Sequence, residues 1–315
     1  MLQNFTSTRS PEELLAEADS LAVLRFNEST ETTQSLIDTR VELLGELGAP
    51  FEVWKVEDAS VEHGTTGNCV WARTNTLQFT AISAPLAQGD DFEATAYAVY
   101  QELLSVIETC PHPELVRFWN YIPNINHGAG DSENYKRFCT GRLRAYSKHH
   151  LQDLQFPAAS AVGHYGTGIT VYALTASTSA EHHANPRQVD AFKYPRQYGP
   201  SSPSFARATT IELNEQRLCF ISGTASILGH SSVHQGDLRL QLYTTNDNIL
   251  YLLKETGFKA SQIRTLRVYL RHKSDLEACQ GIVAELFPGT TVLYTHADIC
   301  RADLLVEIEC FCVDE

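Results

Sequence analysis

Residues 89–122 read GDDFEATAYAVYQELLSVIETCPHPELVRFWNYI, and two periods lie side by side in them. Ala96, Val99, Tyr100, Leu103 and Ile107 recur at helical spacing and mark one face of a helix. Asp90 and Asp91 put negative charge where a helix N-terminus favours it, and Pro111 and Pro113 stop the run. Residues 115–122 then read as a strand. A second helix is expected over about 132–148, with Tyr135, Phe138, Cys139, Arg142 and Tyr146 on one side.

The same order returns further along the chain. Two strand-like runs, 205–213 and 217–223, lead into a helical pattern over 237–255 that is closed by Gly257. Residues 265–271 alternate Leu266, Val268 and Leu270 with Arg267, Tyr269 and Arg271, as a half-buried strand does. Leu276, Cys279, Ile282, Val283 and Leu286 mark another helix, and Pro288-Gly289 opens two last strands, TVLYTH (291–296) and DLLVEIECFCV (303–313). Corresponding elements recur after roughly 145 residues, which predicts an internal structural repeat. The expected fold is α+β, with mixed sheets and helices packed on one face. Two halves, 1–152 and 153–315, are expected. Residues 185–204 carry four prolines and one glycine, so they are expected to form a long ordered loop, a frequent carrier of function.

Composition narrows the function. Of 315 residues, 43% are hydrophobic and 20% charged, which excludes disorder. A net charge of −14 repels phosphate backbones and anionic lipid, so no nucleic acid and no membrane partner is expected. The first residues lack the pattern of a secretory signal and no stretch reaches the ~18 apolar residues of a membrane helix, so a cytoplasmic location is expected. Eight scattered cysteines are read as reduced thiols, and Cys310 with Cys312 supplies too few ligands for zinc. No metal and no cofactor is expected: the spacings G-x-x-x-x-G-K and G-x-G-x-x-G are absent, as is the G-x-S-x-G elbow of serine hydrolases. The adjacent pairs His149-His150 and His182-His183 point to different faces and are read as surface or loop residues.

In the last strand Leu304, Val306, Ile308, Cys310 and Cys312 share one face, and Leu305, Glu307, Glu309 and Phe311 the other. A carboxyl at Glu307 between apolar neighbours would be desolvated, which raises its pKa and suits a general acid, although the alternation also fits a solvent-facing position. Arg142, Tyr198, Arg207 and Arg271 could hold carboxylates in this acidic chain, with surface ion pairs as the alternative for each arginine. The run SGTASILGH (222–230) carries small residues that let backbone N–H groups approach a ligand. Cys300 and Arg301 lie in the turn before the last strand, where a cysteine more often packs than reacts.

Several of these runs together resemble one family: RFWNYIPNIN (117–126), YKRFCTGRLR (135–144), YPRQYGP (194–200) with SPSFAR (202–207), SGTASILGH, and HADICRADLLVEIE (296–309). They occur in the order seen in the chorismatases, within the larger RidA/YjgF-like superfamily. The resemblance implies two fused RidA/YjgF-like halves, the first degenerate and the second carrying most of the site. It also implies cleavage of chorismate with release of pyruvate. Glu307 matches the family's catalytic acid, and Arg142, Tyr198, Arg207, Ala225, Tyr269 and Arg271 match polar or small positions around the dianion. Cys300 matches a cysteine of the members that form 3-hydroxybenzoate, alone or with 4-hydroxybenzoate, whereas Ala225 resembles the alanine of members that form the cyclohexadiene diol. The first product is the expectation and the diol the alternative. A third reading, an imine deaminase or small-metabolite binding protein of the superfamily, lacks the arginine expected just before the last strand. The expected state is a monomer or a homotrimer.

Overall fold

The protein was analysed as a computed structural model that describes residues 1–26, 36–45, 51–86 and 89–314. The chain begins with β1 (Leu2–Ser7), α1 (Pro11–Leu15), β2 (Ser20–Arg25), β3 (Leu36–Asp38), β4 (Glu42–Leu43) and β5 (Phe51–Val56). Four of these strands form a small sheet in the order β1-β5-β2-β3. Its strands are short and carry little periodicity, so the sequence pattern does not announce it.

Two larger sheets follow, built alike. The first unit runs β6 (Glu62–Thr66), β7 (Cys69–Arg73), β8 (Leu77–Ala84), α2 (Phe92–Thr109), β9 (Glu114–Pro123), α3 (Asn134–Lys148), β10 (Ala158–His164) and β11 (Ile169–Ala176). The second runs β12 (Ala180–His183), β13 (Ala208–Leu213), β14 (Gln216–Ala225), the short hairpin β15 (Ile227–Leu228) and β16 (Ser231–Ser232), α4 (Leu238–Thr256), β17 (Ile263–Leu270), α5 (Leu276–Leu286), β18 (Thr291–His296), β19 (Asp298–Ile299) and β20 (Val306–Asp314). Their strand orders are β19-β10-β9-β11-β8-β7-β6 and β4-β18-β17-β20-β14-β13-β12, the same path traced twice but for the edge strands: β19, from the second unit, pairs with β10, and β4 pairs with β18. In each, one parallel pair (β9 with β10, β17 with β18) sits beside a final strand antiparallel to both its neighbours. The repeat is therefore present at the level of topology.

Its boundary is not where the sequence placed it. β10 and β11 lie after residue 152, yet they pair with β9 and β8 in the first sheet, and the chain passes to the second sheet between Ala176 and Ala180. β10 reads AASAVGH, a run of small residues without alternation, so no strand signal marked it as part of the first unit. Of the described strands up to Val56, all but β4 form a sheet of their own rather than part of a half.

The helices form where caps and stripes agree. Asp91 accepts from the N–H groups of Glu93 and Ala94 at the start of α2, and Asp237 from that of Leu240 in α4. Gly257, at φ 75°, ends α4 in the left-handed conformation that glycine reaches without strain. α2 and α3 cover the outer face of the first sheet through Phe118, Ile122, Val171 and Ala173, and α4 and α5 cover the second through Ile221, Leu266, Val268 and Ile308.

The inner faces of all three sheets meet on one aromatic core. Trp54 of β5 lies within 5.0 Å of Phe311, 5.7 Å of Phe79, 6.0 Å of Trp119 and 6.2 Å of Phe220, ring centre to ring centre. Beside it lies a buried polar cluster. Arg267 of β17 contacts Glu52 of β5 at 2.5 Å and Glu309 of β20 at 3.0 Å, and donates to the hydroxyls of Tyr121, Tyr172 and Tyr269. Arg117 of β9 donates to Glu309 at 2.9 Å. Pairing of this kind offsets much of the cost of burying these charges.

Candidate active site

β10 of the first unit lies against β14 of the second, and at this seam a cavity of about 580 Å³ opens. Its size suits a small metabolite. β10 gives Ala159, Ser160 and Ala161, β14 gives Gly223 and Ala225, and β20 gives Glu307. Tyr135 and Arg142 enter from α3, Tyr194 and Tyr198 from the proline-rich loop, and Arg207 from the approach to β13. Cys300, Arg301 and Asp303 come from the turn before β20.

A break in the β14–β20 ladder shapes the floor. Ile221 pairs with Cys310 but Thr224 pairs with Ile308, so Ser222 and Gly223 bulge out of register. The Gly223 N–H is thereby free to donate to Ser160 Oγ at 2.9 Å. Gly223 is needed here for space: a Cβ on it would collide with Glu307 Oε1.

Glu307 and Glu309 are 4% and 6% exposed, so the face that could have met solvent instead faces the interior and the cavity. Their surroundings differ. Glu309 accepts from Arg117, from Trp119 Nε1 at 2.9 Å, from Ser160 Oγ at 2.5 Å and from the Tyr269 hydroxyl at 3.1 Å. Burial opposes its charge, but Arg267, Arg117 and these donors outweigh it and hold its pKa below the ordinary value. Glu307 accepts no hydrogen bond of this kind from the described residues. Burial, and then the charge on Glu309, push its pKa up to about 8, against a smaller downward pull from Arg117 and Arg207. Two carboxyls two residues apart thus have their pKa values pushed in opposite directions by their surroundings.

Three arginines at the cavity have no carboxylate partner among the described residues. Arg142, 1% exposed, lies 5.2 Å from the Phe138 ring with its Nε unbonded. Arg207 donates to the Val189 carbonyl and the Tyr194 hydroxyl, and its Nε is also unbonded. Arg301 donates to the His230 carbonyl and to Ser232 Oγ, stacks 4.0 Å from the Tyr198 ring, and keeps one buried nitrogen unbonded. Buried guanidinium groups with spare donors are built to receive an anion. They reverse locally the sign of a chain whose net charge is −14.

Of the residues singled out in the sequence, Glu307, Cys300, Arg142, Tyr198, Arg207 and Ala225 line this cavity together. Ala225 is the ladder partner of Glu307 and packs with Ile227, Ile299, Leu304 and Cys300. Burial, with a further contribution from Glu307, raises the Cys300 thiol to about 12, so it stays neutral. Tyr269 and Arg271, expected to bind substrate, do not line the cavity. Tyr269 is wholly buried behind Glu307 and spends its hydroxyl on Glu309. Arg271 donates to the carbonyls of Ile299, Arg301 and Leu304 and pairs with Asp298, so it clamps the turn that carries Cys300 and Arg301 from behind. Ser160, Arg117 and Glu309 were not recognised as site residues, and Arg301 was read only as a turn residue. Glu309 stood in the quoted strand and Arg117 in the quoted run 117–126, but nothing in the pattern joined them.

The comparisons agree with this geometry. A family model described as "Chorismatase FkbO/Hyg5-like, N-terminal" matches residues 52–175, which end within one residue of the last strand of the first unit. A 3-hydroxybenzoate synthase of Streptomyces hygroscopicus is 36% identical over 86% of this chain and 84% of its own. A chorismatase of Streptomyces rapamycinicus is 36% identical over 82% of this chain and 80% of its own. A crystal structure of a chorismatase superposes over 99% of this chain and 98% of that one, at 29% identity and a TM-score of 0.87. Similarity of this extent, carried by sequence and by fold along almost the whole length, makes the chain a member of the chorismatase family, an enzyme that acts on chorismate.

Proposed function

We propose that the enzyme cleaves chorismate to pyruvate and 3-hydroxybenzoate, with Glu307 as the general acid. The observation that carries this reading is a buried carboxyl facing a cavity ringed by arginines that have no carboxylate partner among the described residues. Chorismate is a dianion. Arg207, whose charge Glu307 feels, is suited to the enolpyruvyl carboxylate and would bring the adjoining methylene to the acid; Arg142 and Arg301 remain for the ring carboxylate.

Glu307 gives its proton to the methylene carbon, whose π electrons form the new C–H bond. The ether carbon becomes an oxocarbenium ion and the ring–oxygen bond is weakened. Pyruvate then departs with the broken C3–O bond, and the neighbouring C4 hydroxyl oxygen closes onto C3 as an epoxide while its proton passes to the Glu307 carboxylate. The C4–O bond then opens, the oxygen stays on C3 and takes up the proton lost from C3, and the ring aromatises as 3-hydroxybenzoate. Atoms balance without water, because chorismate partitions wholly into pyruvate and a hydroxybenzoate. The diol needs one added water. The thiol of Cys300 and the apolar patch it shares with Ala225, Ile299 and Leu304 border the cavity and support the water-free branch. Ala225 itself supports the diol as the second reading, through its resemblance to the diol formers.

Glu307→Gln keeps the shape but cannot deliver a proton, so pyruvate release should fall by at least about a hundredfold, the usual contribution of a general acid. For the wild type the acid form is the active one, so kcat/KM should be level below and decline as pH rises through about 8. Near-native turnover in the variant, or no alkaline decline, would remove Glu307 from the mechanism.

Arg207→Ala should raise the chorismate KM by about tenfold or more, with little rescue by lysine, because the forked contact is lost. Arg271→Ala should instead lower the unfolding temperature and reduce kcat through the loosened turn. Equal KM effects from both variants would contradict this division.

Cys300→Val replaces a weak hydrogen-bonding group by an apolar one of similar volume. Chromatography of the products should then show less 3-hydroxybenzoate and more diol, with pyruvate release retained. An unchanged ratio would assign the branch point to other residues.

A further inference from the structure

Ser160 stands between the two carboxyls of β20. Its hydroxyl has one proton and two lone pairs, and all three are committed: it accepts from Arg117 at 2.6 Å and from the Gly223 N–H at 2.9 Å, and it donates to Glu309 at 2.5 Å. Gly223 packs against both groups, since a Cβ there would meet Ser160 Oγ at 3.0 Å as well as Glu307 Oε1, so this hydroxyl is also the polar group of β10 adjacent to Glu307. Its proton goes to the other carboxyl. Trp119 and Tyr269 likewise donate to Glu309 and not to Glu307. The inward residues of the equivalent strand of the first unit, Thr170, Tyr172, Leu174 and Ala176, include no carboxylate, so the pair belongs to the unit with the cavity.

We propose that Glu309 is a positioning residue for the reaction: by taking every nearby donor, with Ser160 as the shared one, it remains the permanent anion and leaves the transferable proton on Glu307. This rests on the reading of Glu307 as the acid and adds the device that keeps it charged with a proton. The groups facing Glu307 are Glu309 on its own strand, Arg117 from β9, Tyr269 from β17, Arg207 from the approach to β13 and the neutral Cys300 thiol from the turn before β20. Of these, Glu309 alone adds negative charge. Burial would still favour the neutral form without it, but the pull of Arg117 and Arg207 toward the anion would then be opposed by burial alone.

The test is the pH profile of kcat/KM, by pyruvate release from chorismate, for wild type, Glu309→Gln and Ser160→Ala. Glu309→Gln should move the alkaline decline down by at least about one pH unit, so that activity lost at mildly alkaline pH by about tenfold or more is largely recovered on acidification. Should that variant fail to fold, Ser160→Ala retains both arginines. There the proton is shared between the carboxyls, so kcat falls at neutral pH and recovers on the acid side, where Glu309 takes a proton of its own. A loss of the same size at every pH in both variants would overturn the proposal and leave Glu309 a structural anchor. Failure of the underlying reading is separate: the wild type would then lack the alkaline decline, or Glu307→Gln would turn over.

Discussion

In the middle of the molecule two arginines and two carboxylates, Arg117, Arg267, Glu52 and Glu309, balance one another's charge in a region closed to solvent. The four come from β9, β17, β5 and β20, so all three sheets contribute to one neutral cluster. A buried cluster of this kind is a weak source of net stability, but removing any member strands another charge. Its main consequence is local. With both central cations already matched, ionisation of Glu307 would add a third negative charge at the edge of the cluster, with only Arg207 beyond it to compensate. The Glu307 pKa is thus raised by the architecture around it rather than by a dedicated hydrogen bond.

The same arrangement reconciles an acidic protein with an anionic substrate. The negative charge is spread over the surface, where water screens it, while the cavity gathers Arg142, Arg207 and Arg301 from three separate segments. Arg142 rests on the Phe138 ring and the Cys139 sulfur, and Arg207 and Arg301 on aromatic rings, hydroxyls and carbonyls, none of them on a carboxylate among the described residues, so their charge remains available to a ligand. The seam between the units brings a β10 of small residues against the bulge at Gly223, and the space so created could not exist beside larger side chains in either strand.

Periodicity made the helices and the last strands legible, because α2 and α4 each bury an apolar stripe and β17 and β20 alternate an apolar face with a mixed one, although both faces of these strands are buried. It could not reveal β10, whose small residues carry no alternation, and so the divide between the units was placed some residues too early. Apolar neighbours made Glu307 a candidate for a desolvated carboxyl, but the alternation alone fitted a solvent-facing position equally, and only the resemblance singled it out. Its partner Glu309 occupies the same face of the same strand, yet its role comes from Arg117 and Ser160, far off in the sequence. Alternation likewise put Arg267, Tyr269 and Arg271 on one face, but depth along the strand decides what they meet: Arg267 the core, Tyr269 the anion, Arg271 the turn beyond the end of the strand.

The central claim, that Glu307 holds a proton while Glu309 does not, is tested most directly by infrared difference spectroscopy of the carboxyl C=O stretch. At neutral pH the account predicts a protonated-carboxyl band in the wild type that is missing in Glu307→Gln and fades as pH passes about 8. A band assigned by substitution to Glu309, or no such band at neutral pH, would contradict it.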